Sequence, residues 1–328
     1  MTHLEQPRGT LGLRGPLALG LRALWAIAVA TALTTACRAA DSKVANLTAQ
    51  QLVDRAAAGA TVVLPASATG RLTIANRKLA RPLTIDLSRS RIAMIGIRAS
   101  SNVRIVNGTV TGSAAVSPYG ILIQDSQKIE VSNVTVTGAA HGIQLSRSQD
   151  VLIANNALTG LVADGVMVVA SQRVKIYNNS CSNFNPRPKI WDAQGNLVKD
   201  GDHADCIQGW SQKDYPLTAD LEIVGNRGIG NFQGIFLNDP YGAGGYQRVT
   251  ITDNVMQIAM YHGIHITEPR GLRMTRNRVS TIPGSRDIRG TAFDRPVKAF
   301  ITIVRGSNIQ ACGNTIADYP KGEGTGRC

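Results

Sequence analysis

The chain has 328 residues, 43% hydrophobic and 17% charged, which excludes a disordered protein and leaves ample core for one large domain or two ordinary ones. A formal net charge of +13 favours an anionic partner. Five cysteines without a C-x-x-C or Cys/His spacing argue against a zinc protein.

At the N-terminus, Arg8, Arg14 and Arg22 precede the uncharged run "ALWAIAVATALTTAC", residues 23–37. A membrane helix needs about 20 apolar residues, so residues 1–40 read instead as a secretory signal peptide. Cys37 after "LTTA" is similar to a lipoprotein lipobox, with Thr34 where leucine is usual and Leu33 one place early. A lipid on Cys37 and ordinary cleavage near Ala39 or Ala40 are both open. The expectation is an exported bacterial-type protein: periplasmic, an outer-membrane lipoprotein attached only through that lipid, or extracellular. Loss of residues 1–40 removes four arginines and Glu5 and leaves about +10. Export argues against nucleic acid as the anion and for an acidic polysaccharide or an anionic cell surface. A monomer is expected.

The segment "LTAQQLVDRAAAG", residues 47–59, reads as an amphipathic helix, with Thr48 and Gln51 at capping-box spacing and Gly59 as its stop. Beyond it the sequence repeats. "GILIQDSQKIEVSNVTVTG" from Gly120, "GIQLSRSQDVLIANNALTG" from Gly142 and "GVMVVASQRVKIYNNSCSN" from Gly165 align, with Ile121, Ile143 and Val166 spaced 22 and 23 residues apart. "LEIVGN", "VTITDN", "LRMTRN" and "IQACGN" continue the register from Leu221, Val249, Leu272 and Ile309. Asn156, Asn179, Asn226, Asn254, Asn277 and Asn314 recur at one place in the unit. Stacked amides at that place can hydrogen-bond from coil to coil.

A period near 22 with short β-branched strands suits one coil of a parallel β-helix. With "GATVVLPAS" near Gly59 as a first coil, the chain resembles right-handed parallel β-helix proteins of the pectate-lyase-like superfamily over about residues 44–316. The resemblance implies an all-β, right-handed, single-stranded parallel β-helix over residues 41–328, with the N-terminal helix capping an open end. It also implies a carbohydrate-active protein, although the superfamily includes lyases, hydrolases, epimerases and binding spikes. In such a solenoid Cys181 and Cys206 bracket a long excursion and Cys312 and Cys328 bracket the tail. Of three connectivities, Cys181–Cys206 with Cys312–Cys328 is expected.

Spacing shows where the coils are interrupted. From a "VxI" strand to the next "GI" strand takes 14 or 15 residues in ordinary coils, but 33 from Val174 to Ile207 and 29 from Leu272 to Ile301. From "GI" to "VxI" takes eight, but 14 after Ile207 and after Ile235. Insertions at 182–203, 210–219, 239–247 and 280–297 therefore border one strand column and predict a groove along it. "GDHADCIQGW", residues 201–210, is read as a strand in the groove floor. Two residues before each inward Ile or Val stand Tyr119, His141, Asp164, Asp205, Gln233 and His262. One residue after stand Leu122, Gln144, Met167, Gln208, Phe236 and His265. Both sets are read as outward rows, with coils about 4.8 Å apart.

Three chemistries are open on such a floor. A polysaccharide lyase acting by β-elimination needs a base, an acid and a cation that neutralises the uronate carboxylate. His203 and His262 are candidate bases with His265 beside them, Asp205 would orient a histidine, and Asp164 stands next to it as a further catalytic candidate. Arg270, Lys298 or Arg305 would neutralise the carboxylate, and Arg286, Arg289 and Arg295 stand in the same insertion. No cofactor is demanded by any motif; a Ca2+ ion held by Asp164 and Asp205 is one option. A uronan C5-epimerase would share the first half of this mechanism. A glycoside hydrolase would pair Asp164 with Asp205, or Asp205 with Asp239, at roughly 5–9.5 Å. The superfamily's galacturonases carry a "DD" pair and a "GHG" motif, and here only His262-Gly263 stands. A non-catalytic glycan-binding surface protein would use the same groove. Substrate contacts are expected from His141, Gln144, Gln208, Trp210, Gln233, Asn238, Asp239, Glu268 and Arg305, with Trp210 stacking on a sugar ring.

Overall fold

The computed structural model describes residues 47–285 and 296–318. The apolar run 23–37, Cys37, Cys328 and Arg286, Arg289 and Arg295 lie outside the described residues.

The helix α1 spans Ala49–Arg55. Its capping box is formed: Gln51 N–H donates to Thr48 Oγ1 (3.2 Å) and Thr48 N–H to Gln51 Oε1 (3.0 Å). Val53 is its one buried residue and joins the main core. The Gln50 carboxamide pairs with both backbone groups of Thr73, at 2.7 and 2.8 Å, which stitches α1 to the first floor strand. The helix stops before the expected Gly59 because Ala56 is already extended, and the Arg77 guanidinium takes the carbonyls of Val53 and Ala56.

The rest winds as a right-handed parallel solenoid of three sheets, with ten, nine and nine strands among the described residues. The floor sheet holds β1 to β9: Arg71–Ala75, Met94–Arg98, Tyr119–Gln124, His141–Ser146, Val166–Val169, Asp205–Trp210, Gln233–Asn238, His262–Thr267 and Phe300–Val304. The second sheet runs from Thr61–Val63 to Ser307–Cys312 and the third from Arg91–Ile92 to Thr315–Ile316. The β-branched repeat explains the core. Ile121, Ile143, Val166, Ile207, Ile235 and Ile264 stack in register and are buried. Each such side chain contributes about 1.5–3 kcal/mol.

Two polar ladders stabilise the corners. Each ladder Asn donates its amide hydrogens to the carboxamide oxygen of the next, as from Asn156 to Asn179 (2.9 Å) and from Asn226 to Asn254 (3.0 Å). A second ladder, not anticipated from the sequence, passes backbone N–H to hydroxyl through Ser100, Ser126, Ser148, Ser171 and Thr218. Exposed corner residues such as Asn155 and Asp150 take φ of 56° and 54°, which short polar side chains tolerate.

Simple alternation would turn Asp205 inward with Ile207, since residues two apart share a face. The floor strands instead carry two successive inward residues. A Cβ added at Gly120 would lie 2.4 Å from Val136, and one at Gly263 would lie 2.2 Å from Val279. The glycine column therefore faces the third sheet, the strand bends there, and the residue before it turns outward. In β6 this inward place belongs to Cys206, which is disulfide-bonded to Cys181 on the third sheet. The bond lies within the core and joins both ends of the excursion. Cys312 is also disulfide-bonded, and its expected partner Cys328 lies outside the described residues.

Long connections flank the floor sheet. One precedes β6 and carries a two-stranded antiparallel ribbon, Ile190–Trp191 with Leu197–Lys199. Others follow β6 and β7, and another precedes β9. Strand β6 begins at Asp205, so Gly201–Ala204 belong to the excursion and not to the floor.

Candidate functional site

The floor carries three outward columns. The first reads Tyr119, His141, Asp164, Asp205, Gln233, His262 and Phe300. The second reads Leu122, Gln144, Met167, Gln208, Phe236, His265 and Thr302. The third includes Gln124, Ser146, Val169, Trp210, Asn238 and Thr267.

A groove of about 530 Å³ lies over β2 to β6. Tyr119, His141, Gln144, Met167 and Trp210 are among its floor residues, and Arg98, Arg147, Gln212 and Tyr241 are among those at its margin. Trp210 and Tyr241 place their ring centroids 6.3 Å apart, and the Arg147 guanidinium lies 5.4 Å from the Tyr215 ring. Arg147 also forms a two-pronged pair with Asp125, at 2.6 and 2.9 Å. Arg98 is exposed. The lining includes the exposed Arg98, the Asp125-paired Arg147 and the His141 imidazole, and no carboxylate among the described residues.

Within this groove His141 Nδ1 lies 2.9 Å from Asp164 Oδ2. Asp164 is 3% exposed, and its other oxygen accepts the backbone N–H of Asp205 (3.1 Å). Burial pushes the Asp164 carboxyl above its ordinary value, against the lowering by His141 and by the Asp205 N–H. With Nδ1–H donating to Asp164, His141 keeps Nε2 for a ligand. This is the base-and-orienter arrangement of acid–base sites. His141 was expected only as a substrate contact. Tyr119, whose ring centroid is 5.7 Å from that of His141, stood in the outward row without a role. Arg98 and Arg147 were missed because corner arginines read as solvated turns.

The expected reaction centre further along the floor is arranged differently. His203 lies off the floor on the excursion, exposed, with Nε2 3.4 Å from Asp200. Asp205, Gln208 and Gln233 stand in their rows but are buried, and Gln208 Nε2 donates to Asp205 Oδ2 (2.8 Å). His262 packs among Phe236, His265 and Phe300 at centroid distances of 4.9, 5.1 and 4.9 Å. His265 stacks on Phe236 (4.7 Å) and bonds Thr267 Oγ1 through Nε2 (3.0 Å); burial lowers its imidazole below the ordinary value. Asn238 accepts a hydrogen bond from Thr267 and, through its carbonyl, from the Tyr246 hydroxyl.

The expected cations stand elsewhere. Arg270 lies on the strand Pro269–Thr275 of the second sheet, because the left-handed corner at Glu268 (φ 50°) turns the chain away from the floor. Glu268 and Arg305 pair with each other (3.1 Å). Lys298 lines a separate depression with Thr281 and Pro296. Asp239 is a loop organiser: it accepts from the Ser211 hydroxyl and the N–H groups of Ala243, Gly244 and Gly245. Burial raises its carboxyl, but those four donors outweigh burial and hold it below the ordinary value. Asp164 and Asp205 also do not make a calcium site. Ca2+ takes six to eight oxygens, both Asp164 oxygens are engaged, and among the described residues no group of three His, Cys, Asp or Glu could hold a metal.

A three-sheeted right-handed solenoid with a groove along one sheet defines a β-helix protein. The chain belongs to the right-handed β-helix family, whose model, described as the right handed beta helix region, matches residues 93–317. No curated protein matches it. Among solved structures it is similar to PfbA, a surface adhesin of Streptococcus pneumoniae, at 13% identity and TM-score 0.36, over 75% of this chain and 79% of that one. It is also similar to an alginate lyase from Paenibacillus sp. str. FPU-7, at 12% identity and TM-score 0.30, over 81% of this chain and 93% of that one.

Proposed function

We propose that the chain is an exported lyase that cleaves an acidic, uronate-containing polysaccharide by β-elimination in the groove over β2 to β6. The observation that carries this reading is His141 held at 2.9 Å by the buried Asp164 in a groove lined by Arg98 and Arg147. The exposed Arg98 guanidinium neutralises the uronate carboxylate and so eases loss of the C5 proton. His141 Nε2 takes that proton, the C5–H electrons form the C4–C5 double bond, and the C4–O4 bond breaks. The Tyr119 hydroxyl gives a proton to the departing oxygen. Trp210 and Tyr241 offer faces for flanking sugars. The disulfide-bonded Cys181–Cys206 pair supports an oxidising compartment, in keeping with the export expected from residues 1–40.

The hydrolase reading is less favoured, because Asp164 is committed to His141 and Asp205 is buried. The test is incubation of polygalacturonate and alginate with the protein, followed by ultraviolet absorbance of the unsaturated uronate and by reducing ends. Rising absorbance that disappears in His141→Ala is expected. Reducing ends without absorbance would mean hydrolysis. Proton exchange at C5 without chain cleavage would mean epimerisation, and binding without turnover would leave a glycan-binding protein.

A further inference from the structure

A second depression, of about 360 Å³, lies on the outer face of the third sheet, a different sheet from the floor of the groove. The solenoid register builds it. Arg227 pairs with Val255 and Val255 with Arg278, so the two arginines stand on the same outward column two coils apart, about 9.6 Å along the axis. Each follows a ladder asparagine, Asn226 or Asn277, whose buried amides hold that corner. Gln257, Ser280 and Thr315 supply hydrogen-bonding groups beside them, and no carboxylate among the described residues lines the depression.

Several arginines on other coils are paired, while Arg98, Arg270 and Arg273 are exposed with no ion pair among the described residues. Arg104, Arg147, Arg173, Arg248 and Arg276 are each neutralised by an acid one coil away: Glu130, Asp125, Asp150, Asp220 and Asp253. Arg227 and Arg278 are exposed and have no acidic partner among the described residues. Two guanidinium side chains on one column of a rigid sheet, with Gln257, Ser280 and Thr315 beside them, suit a ligand that presents anionic groups at intervals along its length.

We infer that this face is a second, non-catalytic binding site for acidic polysaccharide, which would hold the polymer while the groove acts on another part of the chain. The ligand class rests on the function proposed above; the site does not share its residues. Two linked sites raise the apparent affinity for polymer but not for oligosaccharides too short to reach both.

The experiment titrates polygalacturonate and alginate with the full chain carrying His141→Ala, so that no polymer is cut. It compares that protein with one that also carries Arg227→Ala and Arg278→Ala. In parallel, trisaccharide turnover is measured for the double arginine variant with His141 intact. Polymer binding is expected to weaken about tenfold, with the difference shrinking at high salt, while trisaccharide turnover is unchanged. Arg227→Lys with Arg278→Lys should retain most of the binding. Equal polymer binding with and without the arginines overturns this site and leaves the groove reading intact. Loss of trisaccharide turnover in the double arginine variant also overturns it. If the His141→Ala protein binds neither polymer and the wild type cleaves neither, both readings fall. Arginine-dependent binding to phosphatidylglycerol vesicles in place of polymer would overturn the polysaccharide assignment.

Discussion

His141 and Asp164 stand on adjacent floor strands, with Nδ1 2.9 Å from the buried Oδ2. The pairing fixes the ring orientation and, with Asp164 ionised, selects the Nδ1–H tautomer. Removing the imidazole should therefore abolish the proton transfer itself, whereas removing the carboxylate should disorder it. His141→Ala is expected to lose about 10²–10⁴-fold in turnover. Asp164→Asn keeps the shape but no longer favours Nδ1–H, and should lose about tenfold or more in turnover with oligouronate binding retained. Steady-state kinetics with calorimetric binding checks both, and an Asp164→Asn protein with wild-type turnover would remove the orienting role.

Gln233 is 3% exposed, and its Oε1 is buried with no hydrogen-bond partner among the described residues. A buried acceptor without a donor carries its full desolvation cost, while an apolar side chain of similar shape does not. Gln233→Met is therefore expected to stabilise the protein by about 1 kcal/mol. Chemical denaturation measures this directly. Destabilisation by the same substitution would mean that the carboxamide oxygen is satisfied in solution.

The solenoid was legible because its physics repeats. One residue of β-branched core per strand and one amide per corner recur until Ile207 and Asn226 can be placed without any neighbouring information. The Ser100–Thr218 ladder was not legible, since an isolated serine near a turn reads equally well as solvent-facing. The outward face of Asp205 depended on a second inward residue at the glycine column, a consequence of close approach by the third sheet that alternation alone does not contain. The position of the groove was hidden for a different reason. Burial of Asp205 and Gln208 beside the excursion does not repeat from coil to coil, so the middle of the floor is closed and the groove opens over His141 instead. Arg98 and Arg147 illustrate the same limit: a corner arginine becomes a groove residue only when Trp210 and Tyr241 rise beside it.

Asn226 is an interior rung of the asparagine ladder. Its oxygen accepts from the backbone and side chain of Asn179, at 2.9 and 3.0 Å, and its nitrogen donates to the Ile176 carbonyl (2.8 Å) and to Asn254. Asn226→Ala would leave buried groups on two neighbouring coils without partners, for a loss of about 2–4 kcal/mol. Asn155 sits one place before a ladder residue, exposed and with φ 56°. Asn155→Gly should stay within about 0.5 kcal/mol, because glycine adopts that φ freely. Equal losses for the two variants in denaturant titrations would deny the ladder its special weight.

His265 links stability to pH. Burial lowers its imidazole below the ordinary value of 6.5, so the unfolded chain binds a proton more readily than the folded one. Its neutral form is accommodated above that value at no penalty. Stability should then fall as pH drops through 6.5 toward the folded value, and level off only below it. His265→Gln can keep a hydrogen bond to Thr267 but has no proton to gain. The stability difference between wild type and His265→Gln should therefore shift against the wild type between pH 7.5 and pH 5, by an amount set by how far burial lowers the imidazole. Denaturation midpoints across that range supply the measurement, and parallel pH profiles for the two proteins would show that the His265 ring is hydrated in the folded state.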